Sequence, residues 1–176
     1  MPLKLSESQI GQVAKSIAAY IAEQRSTFES KAEPITTDHK TVLQPFFPSD
    51  VLSQTRVVRG HANEPAFYSQ LRLLGIRNAP AFSEMAGVTF QDVIVHVDSL
   101  SPTLLFHELV HVVQYKHLGL AGFADRYLRG FLSGGSYEEI PLEKQAFELE
   151  GRFAQSPNGV FSVEEDVLNR IHLNRL

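Results

Sequence analysis

An α+β fold, mostly helical with a small sheet in the middle of the chain, is what this sequence predicts. Helical periodicity dominates both ends of the chain. Clustered β-branched and aromatic residues are confined to the middle, at 56–59 and 88–97. The second strand cluster runs directly into a strongly capped helix, so sheet and helix are expected to pack together.

Ser6 to roughly Ser30 reads as an amphipathic helix, with Ile10, Val13, Ala14, Ile17, Tyr20 and Ile21 at helical spacing and Ser6 with Gln9 as a capping box. Thr36 to Ser49 is interrupted by Pro45 and Pro48 and reads as loop, with a short helical turn starting at Ser49 or Asp50. Arg56–Arg59 is a brief strand, and Asn63 is placed to cap a helix running through Phe67, Leu71 and Leu74 to Gly75. Val88–Phe90 and Val93–Val97, separated by Gln91 and Asp92, pair as a hairpin. Ser101 then caps a helix with Pro102 at its first position, stopped by Gly119. Residues 120–132 form another helix, and Ser133-Gly134-Gly135-Ser136 is a break. Pro141 opens a helix through Leu142, Gln145, Ala146, Leu149 and Phe153, and Ser162 with Glu165 caps a last one.

At 176 residues, 43% hydrophobic and 20% charged, the chain fits a single domain spanning 1–176 with a real core. A net charge of −4 without a basic stripe argues against a nucleic-acid partner. No apolar run approaches the ~20 residues of a membrane span, so no membrane partner is expected. Met1 to Glu7 lacks a signal pattern, which makes a cytoplasmic location the default expectation, with secretion also compatible. There are no cysteines, so any zinc must be held by His, Asp or Glu.

The chemistry is concentrated in His107-Glu108-Leu109-Val110-His111. Two histidines four apart on a helix lie about 40° apart around the axis and about 6 Å along it, so both imidazoles can reach one metal. Glu108 then stands beside the metal, where it can take a proton from a water the metal has acidified. Without a metal, two histidines on a buried face would each need a hydrogen-bond partner.

A catalytic zinc wants a third protein ligand and an open position. His117 has the spacing of the HExxHxxGxxH pattern, but Gln114 stands where that pattern has its turning glycine. On a continuous helix His117 would lie about 15 Å along the axis from His107, out of reach of a shared ion. Both methionines precede the motif, so no Met-turn follows it, and His117 is expected to be a surface or supporting residue. Glu143, 32 residues after His111 in the first turn of the Pro141 helix, is the favoured third ligand. Ala146, one turn on, would let the two helices approach. Glu138, Glu139, Glu148 and Glu150 are its rivals.

The run Leu105-Phe106-His107-Glu108-Leu109-Val110-His111-Val112-Val113-Gln114, followed by Tyr137-Glu138-Glu139-Ile140-Pro141-Leu142-Glu143-Lys144-Gln145-Ala146, resembles small bacterial HExxH zinc metallopeptidase domains of the gluzincin type. The resemblance covers roughly 88–150 and implies a zincin-like fold. It also implies His107, His111 and Glu143 as zinc ligands and Glu108 as general base. Larger gluzincins often carry an acidic residue four after the ligand Glu to support a histidine. Here that position is Phe147, which leaves Glu139 or Glu150 as substitutes. Tyr137 is the first choice for an oxyanion donor, ahead of His61, Tyr127 and Arg126.

The expected function is therefore a Zn2+-dependent hydrolase, a metallopeptidase acting on a peptide or protein substrate. The alternatives are a zinc-binding regulatory or binding module without catalysis and a hydrolase of a non-peptide bond. Val93–Val97 could offer an edge to an extended peptide, His96 reads as a surface residue, and Pro34–Pro48 could form a lid.

Overall fold

The computed structural model describes residues 5–73, 82–133 and 136–176. In chain order these form α1 (Glu7–Glu29), β1 (Glu33–Pro34), α2 (Thr37–Leu43), α3 (Ser49–Gln54), β2 (Arg56–Arg59), α4 (Ala66–Leu73), β3 (Gly87–Phe90), β4 (Val93–His96), α5 (Pro102–Leu132), α6 (Pro141–Gln155) and α7 (Val163–His172). The fold is α+β, mostly helical around a small mixed sheet.

Caps set the helix starts as the sequence signals them. Ser6 and Gln9 exchange both bonds of a capping box. The Ser101 hydroxyl accepts from the Leu104 amide at 3.1 Å, with Pro102 next in the chain. Ser162 accepts from the Glu165 amide. Gly119 breaks α5 with a φ of 69°, so the element has two arms on either side of it, at the point where the sequence places the stop.

The sheet runs β1-β2-β4-β3. β3 and β4 pair antiparallel, with Thr89 opposite Ile94, and β2 joins β4 in parallel, with Val57 opposite Ile94. The hairpin turn needs a φ of 60° at Gln91. Its tip is clamped to α1 by Arg25, whose guanidinium holds both carboxylate oxygens of Asp92 at 2.5 and 3.0 Å. Among the described residues β4 is therefore an inner strand and β3 an edge. This corrects the expectation that Val93–Val97 offers the edge: β2, some 35 residues earlier in the chain, takes that side of β4.

The first arm of α5 runs through the middle of the molecule. Every residue from Leu105 to Tyr115 is buried, so no side of this segment faces solvent. One apolar cluster joins it to α2, α3, α6 and α7; the other joins it to α1, α4 and the hairpin.

The proline-containing stretch 34–48 belongs to the first of these clusters. Thr36 caps α2, and Leu43, Phe46 and Phe47 are buried. The Phe46 ring meets Phe106 and Phe153 edge-on, at 5.6 and 5.2 Å between centroids. The segment read from sequence as a loop and as a lid thus carries α2 and is anchored in the core through Ile35, Leu43, Phe46 and Phe47, while most of its other residues stay exposed. α4 starts at Ala66 rather than after Asn63, whose carbonyl instead accepts from the Tyr20 hydroxyl. The expected continuation of that helix to Leu74 and Gly75, and the glycines of the 133–136 break, lie outside the described residues. Among the described residues no helix is long and apolar enough to cross a membrane.

Candidate metal centre

α5 and α6 bring His107, His111 and Glu143 together. All three are buried, at 7%, 5% and 3% exposure, which is too dry for unpaired charge. Their inward atoms form a nearly equilateral triangle. His107 Nε2 and His111 Nε2 are 3.3 Å apart, and Glu143 Oε2 lies 3.4 and 3.3 Å from them. Glu143 Oε2 is buried yet accepts no hydrogen bond, because the imidazoles approach it without aligning as donors. A buried polar atom without a partner calls for a cause, and a cation at the centre of the triangle would supply one. This group could hold a metal ion.

The outer ring nitrogens explain why the inner ones are available. His107 Nδ1 lies 2.9 Å from Glu150 Oε2, and His111 Nδ1 lies 2.8 Å from Gln114 Oε1. Both partners present only an acceptor, so each Nδ1 carries a hydrogen and each Nε2 is the nitrogen that a metal would take. Of the two supports proposed from sequence, Glu150 is the one in place; Glu139 is exposed and accepts from the Ser136 amide. Phe147 contributes its ring instead, packed edge-on against His107 at 4.6 Å.

Electrostatics agree with this arrangement. Burial disfavours a charged His107, but Glu143 and Glu150 outweigh it and push the imidazole up to about 10. His111 is raised in the same way, against burial, chiefly by Glu143. Burial would raise Glu143, yet the two imidazoles hold it far below the usual carboxylate range. Without an ion the nest thus holds positive charge as protons, and a metal competes for the same Nε2 positions.

Glu108 sits beside the triangle, 4% exposed. The Thr89 hydroxyl donates to its Oε2 at 2.6 Å, tying it to the edge strand. Gly87 makes room for the other oxygen: a Cβ there would fall 2.7 Å from Glu108 Oε1. Neither Gly87 nor Thr89 was singled out from sequence. A glycine opening a β-branched strand is the signal that could have found the first, since it often marks close approach.

Two cavities flank the group. A smaller one of about 80 Å³ reaches Glu108, His111 and Glu143 from the side of α1 and the hairpin. An open cleft of about 630 Å³ reaches His107 and Glu108 from the other side. Tyr137, in a 3-10 turn just before α6, lines both. Burial, then the nearby Tyr127 hydroxyl and Glu143, raise its pKa well above the ordinary value, so the phenol stays protonated.

The other candidates lie elsewhere. His117 pairs with Glu164 at 2.7 Å, and Arg126 with the Leu176 carbonyl. His61 is exposed and lines neither cavity. His96 Nδ1 donates to the Asp98 carbonyl. Glu138 is exposed at the rim of the cleft, and Glu148 pairs with Arg170. Tyr127 lines the smaller cavity. No family model matches this chain, and comparison with curated proteins and with solved structures finds no match, so the case for a metal centre rests on its geometry.

Proposed function

We propose that this chain is a zinc-dependent hydrolase of the metallopeptidase class, with His107, His111 and Glu143 as ligands and Glu108 as general base. The triangle of lone pairs carries the reading. Ligands at 2.0–2.1 Å from a tetrahedral ion are about 3.3–3.4 Å apart, whereas the facial triad of an octahedral iron at similar bond lengths would give about 3.0 Å. The separations of 3.3–3.4 Å support the tetrahedral case. Two imidazoles and one carboxylate also make a catalytic set that leaves a fourth position open.

Bound there, zinc would acidify a water and polarise a carbonyl. The remaining work belongs to the chain. Glu108, fixed by Thr89 at one oxygen, takes the water's proton and later passes it to the leaving amine. Tyr137, kept protonated, donates to the oxygen on which charge develops. β3, an edge of the sheet among the described residues, lies beside Glu108, and an extended peptide would add its main-chain hydrogen bonds at the Gly87 end, because the Thr89 carbonyl already accepts from the Tyr115 hydroxyl.

Replacing Glu108 by Gln tests the proposal. Loss of a general base costs about 10²–10⁴-fold in rate. We expect E108Q to keep one equivalent of zinc, measured by atomic absorption, while peptide hydrolysis falls by that factor. Hydrolysis at the wild-type rate in E108Q would remove Glu108 from the chemistry. A wild-type chain that holds zinc but cleaves no peptide library would support a non-catalytic module.

A further inference from the structure

Gln114 occupies the position where a turning glycine would bend the helix, and its side chain is fully buried. Both of its ends are engaged. Oε1 accepts from His111 Nδ1 at 2.8 Å, and Nε2 donates to the Leu142 carbonyl and to Gln145 Oε1, each at 3.0 Å. Gln145, also fully buried, donates onward from Nε2 to Asp166 Oδ1 at 2.7 Å on α7. Burying two amides between packed helices costs free energy that apolar side chains would not, so their use here calls for a role beyond filling space.

We propose that Gln114 is the positioning residue of the metal centre, one side chain that fixes the tautomer of His111 and seats Glu143. The argument rests on the reading of His107, His111 and Glu143 as ligands. The polarity of the chain of bonds is forced from its far end. The Asp166 carboxylate can only accept, so Gln145 turns its NH2 group toward it and its oxygen toward Gln114. The Leu142 carbonyl can also only accept, so Gln114 has two reasons to point its NH2 group at α6. Its oxygen must then face His111, which places the imidazole hydrogen on Nδ1 and leaves the Nε2 lone pair for the ion. Leu142 directly precedes Glu143, so the same NH2 group holds the first turn of α6 where the third ligand needs it. His107 has no such device; its support is a partly exposed carboxylate on Glu150.

The test compares wild type with Gln114→Leu and Asp166→Ala. Zinc affinity is measured by competition with a chromophoric chelator, and His111 is observed by long-range 1H–15N correlation in zinc-free and zinc-loaded protein. Supporting contacts of this kind are worth about 10–100-fold in metal affinity. We expect that loss in Gln114→Leu, together with loss of the slowly exchanging His111 Nδ1 proton. Asp166→Ala removes the acceptor at the partly exposed end of the chain of bonds and covers the case in which Gln114→Leu does not fold. It should weaken zinc a few-fold and speed exchange of the same proton.

Wild-type affinity in Gln114→Leu, or zinc bound through His111 Nδ1, would overturn the proposal. So would an Asp166→Ala protein with unchanged affinity and an unchanged Nδ1 signal. A wild-type chain that binds zinc through both Nε2 atoms yet hydrolyses nothing would end the hydrolase reading while leaving this one supported. A wild-type chain that binds no zinc would end both.

Discussion

The two cavities that meet at Glu108 are built from different materials. All five tyrosines of the chain, Tyr20, Tyr68, Tyr115, Tyr127 and Tyr137, line the smaller one, with Ile17, Phe90 and Phe123 among its apolar walls. The described lining of the open cleft includes Glu84, Glu138 and Glu150, with Phe147 over His107. Gly87, Glu108 and Tyr137 belong to both. The difference divides the labour of the site. Charged and hydrated groups meet the molecule on the cleft side, while the tyrosine side keeps the ligands in a low dielectric where their charges act strongly. On the proposed hydrolase reading, the reacting bond belongs at the junction, where Glu108 is held by a hydroxyl on one oxygen and given space by a glycine at the other.

The largest way to break that comparison is to fill the junction. A methyl group on Gly87 would lie 2.7 Å from Glu108 Oε1 and 3.1 Å from its Cδ, so the carboxylate must move. Misplacing a catalytic group by about 1 Å can cost about 10²-fold. G87A should therefore lose turnover by that order while retaining its zinc, as read by steady-state kinetics beside metal analysis. An undiminished rate would mean that Glu108 need not lie against the edge strand.

Tyr137 is the other shared wall, and Y137F should sharpen the comparison by removing one hydroxyl from both sides. A lost oxyanion donor costs up to about 10²–10³-fold in kcat in well-formed sites. A loss near the lower end is expected here, with KM changed little, because the phenol is one of several hydroxyls around the cavity. A change in KM alone would make Tyr137 a binding residue instead.

The smallest effect concerns the metal-free chain. His107 is raised from 6.5 to about 10 in the fold, so its protonated form stabilises the native state below pH 6.5. That contribution declines as pH rises from 6.5 through about 10. The melting temperature of zinc-free protein should accordingly fall across this window, and saturating zinc should flatten the decline by replacing the proton. A zinc-free melting temperature that holds steady from pH 6.5 to 10 would show that His107 carries no extra proton.

Much of this was legible because it is local. Ser101, Pro102 and Gly119 bound the first arm of α5 by capping chemistry alone, and the 3.6-residue period puts His107 and His111 on one face. Pro141 fixes the start of α6 and so the turn that carries Glu143. The hairpin at Gln91-Asp92 follows from two β-branched runs. What escaped depends on distant partners. The parallel pairing of β2 with β4 decides which hairpin strand is the edge, and nothing near Val93 encodes it. Phe46 and Phe47 look like loop residues until Phe106, Phe153 and Phe161 arrive from three other segments to cover them. Glu150 was one of several acidic residues on its helix, and only the placement of α6 against α5 singles it out for His107. Gln114 stood out as a departure from a pattern, but its role needs Leu142, Gln145 and Asp166, none of them near it in sequence.

The central claim is that these three side chains make one zinc site, and an equilibrium zinc titration of metal-free protein beside its Glu143→Gln variant tests it most directly. The account predicts one tight equivalent in the wild type. Glu143→Gln removes the only charged ligand, so its affinity should fall by at least as much as the roughly 10–100-fold expected for loss of a supporting contact. No saturable binding in the wild type, or equal affinity in the two proteins, would contradict it.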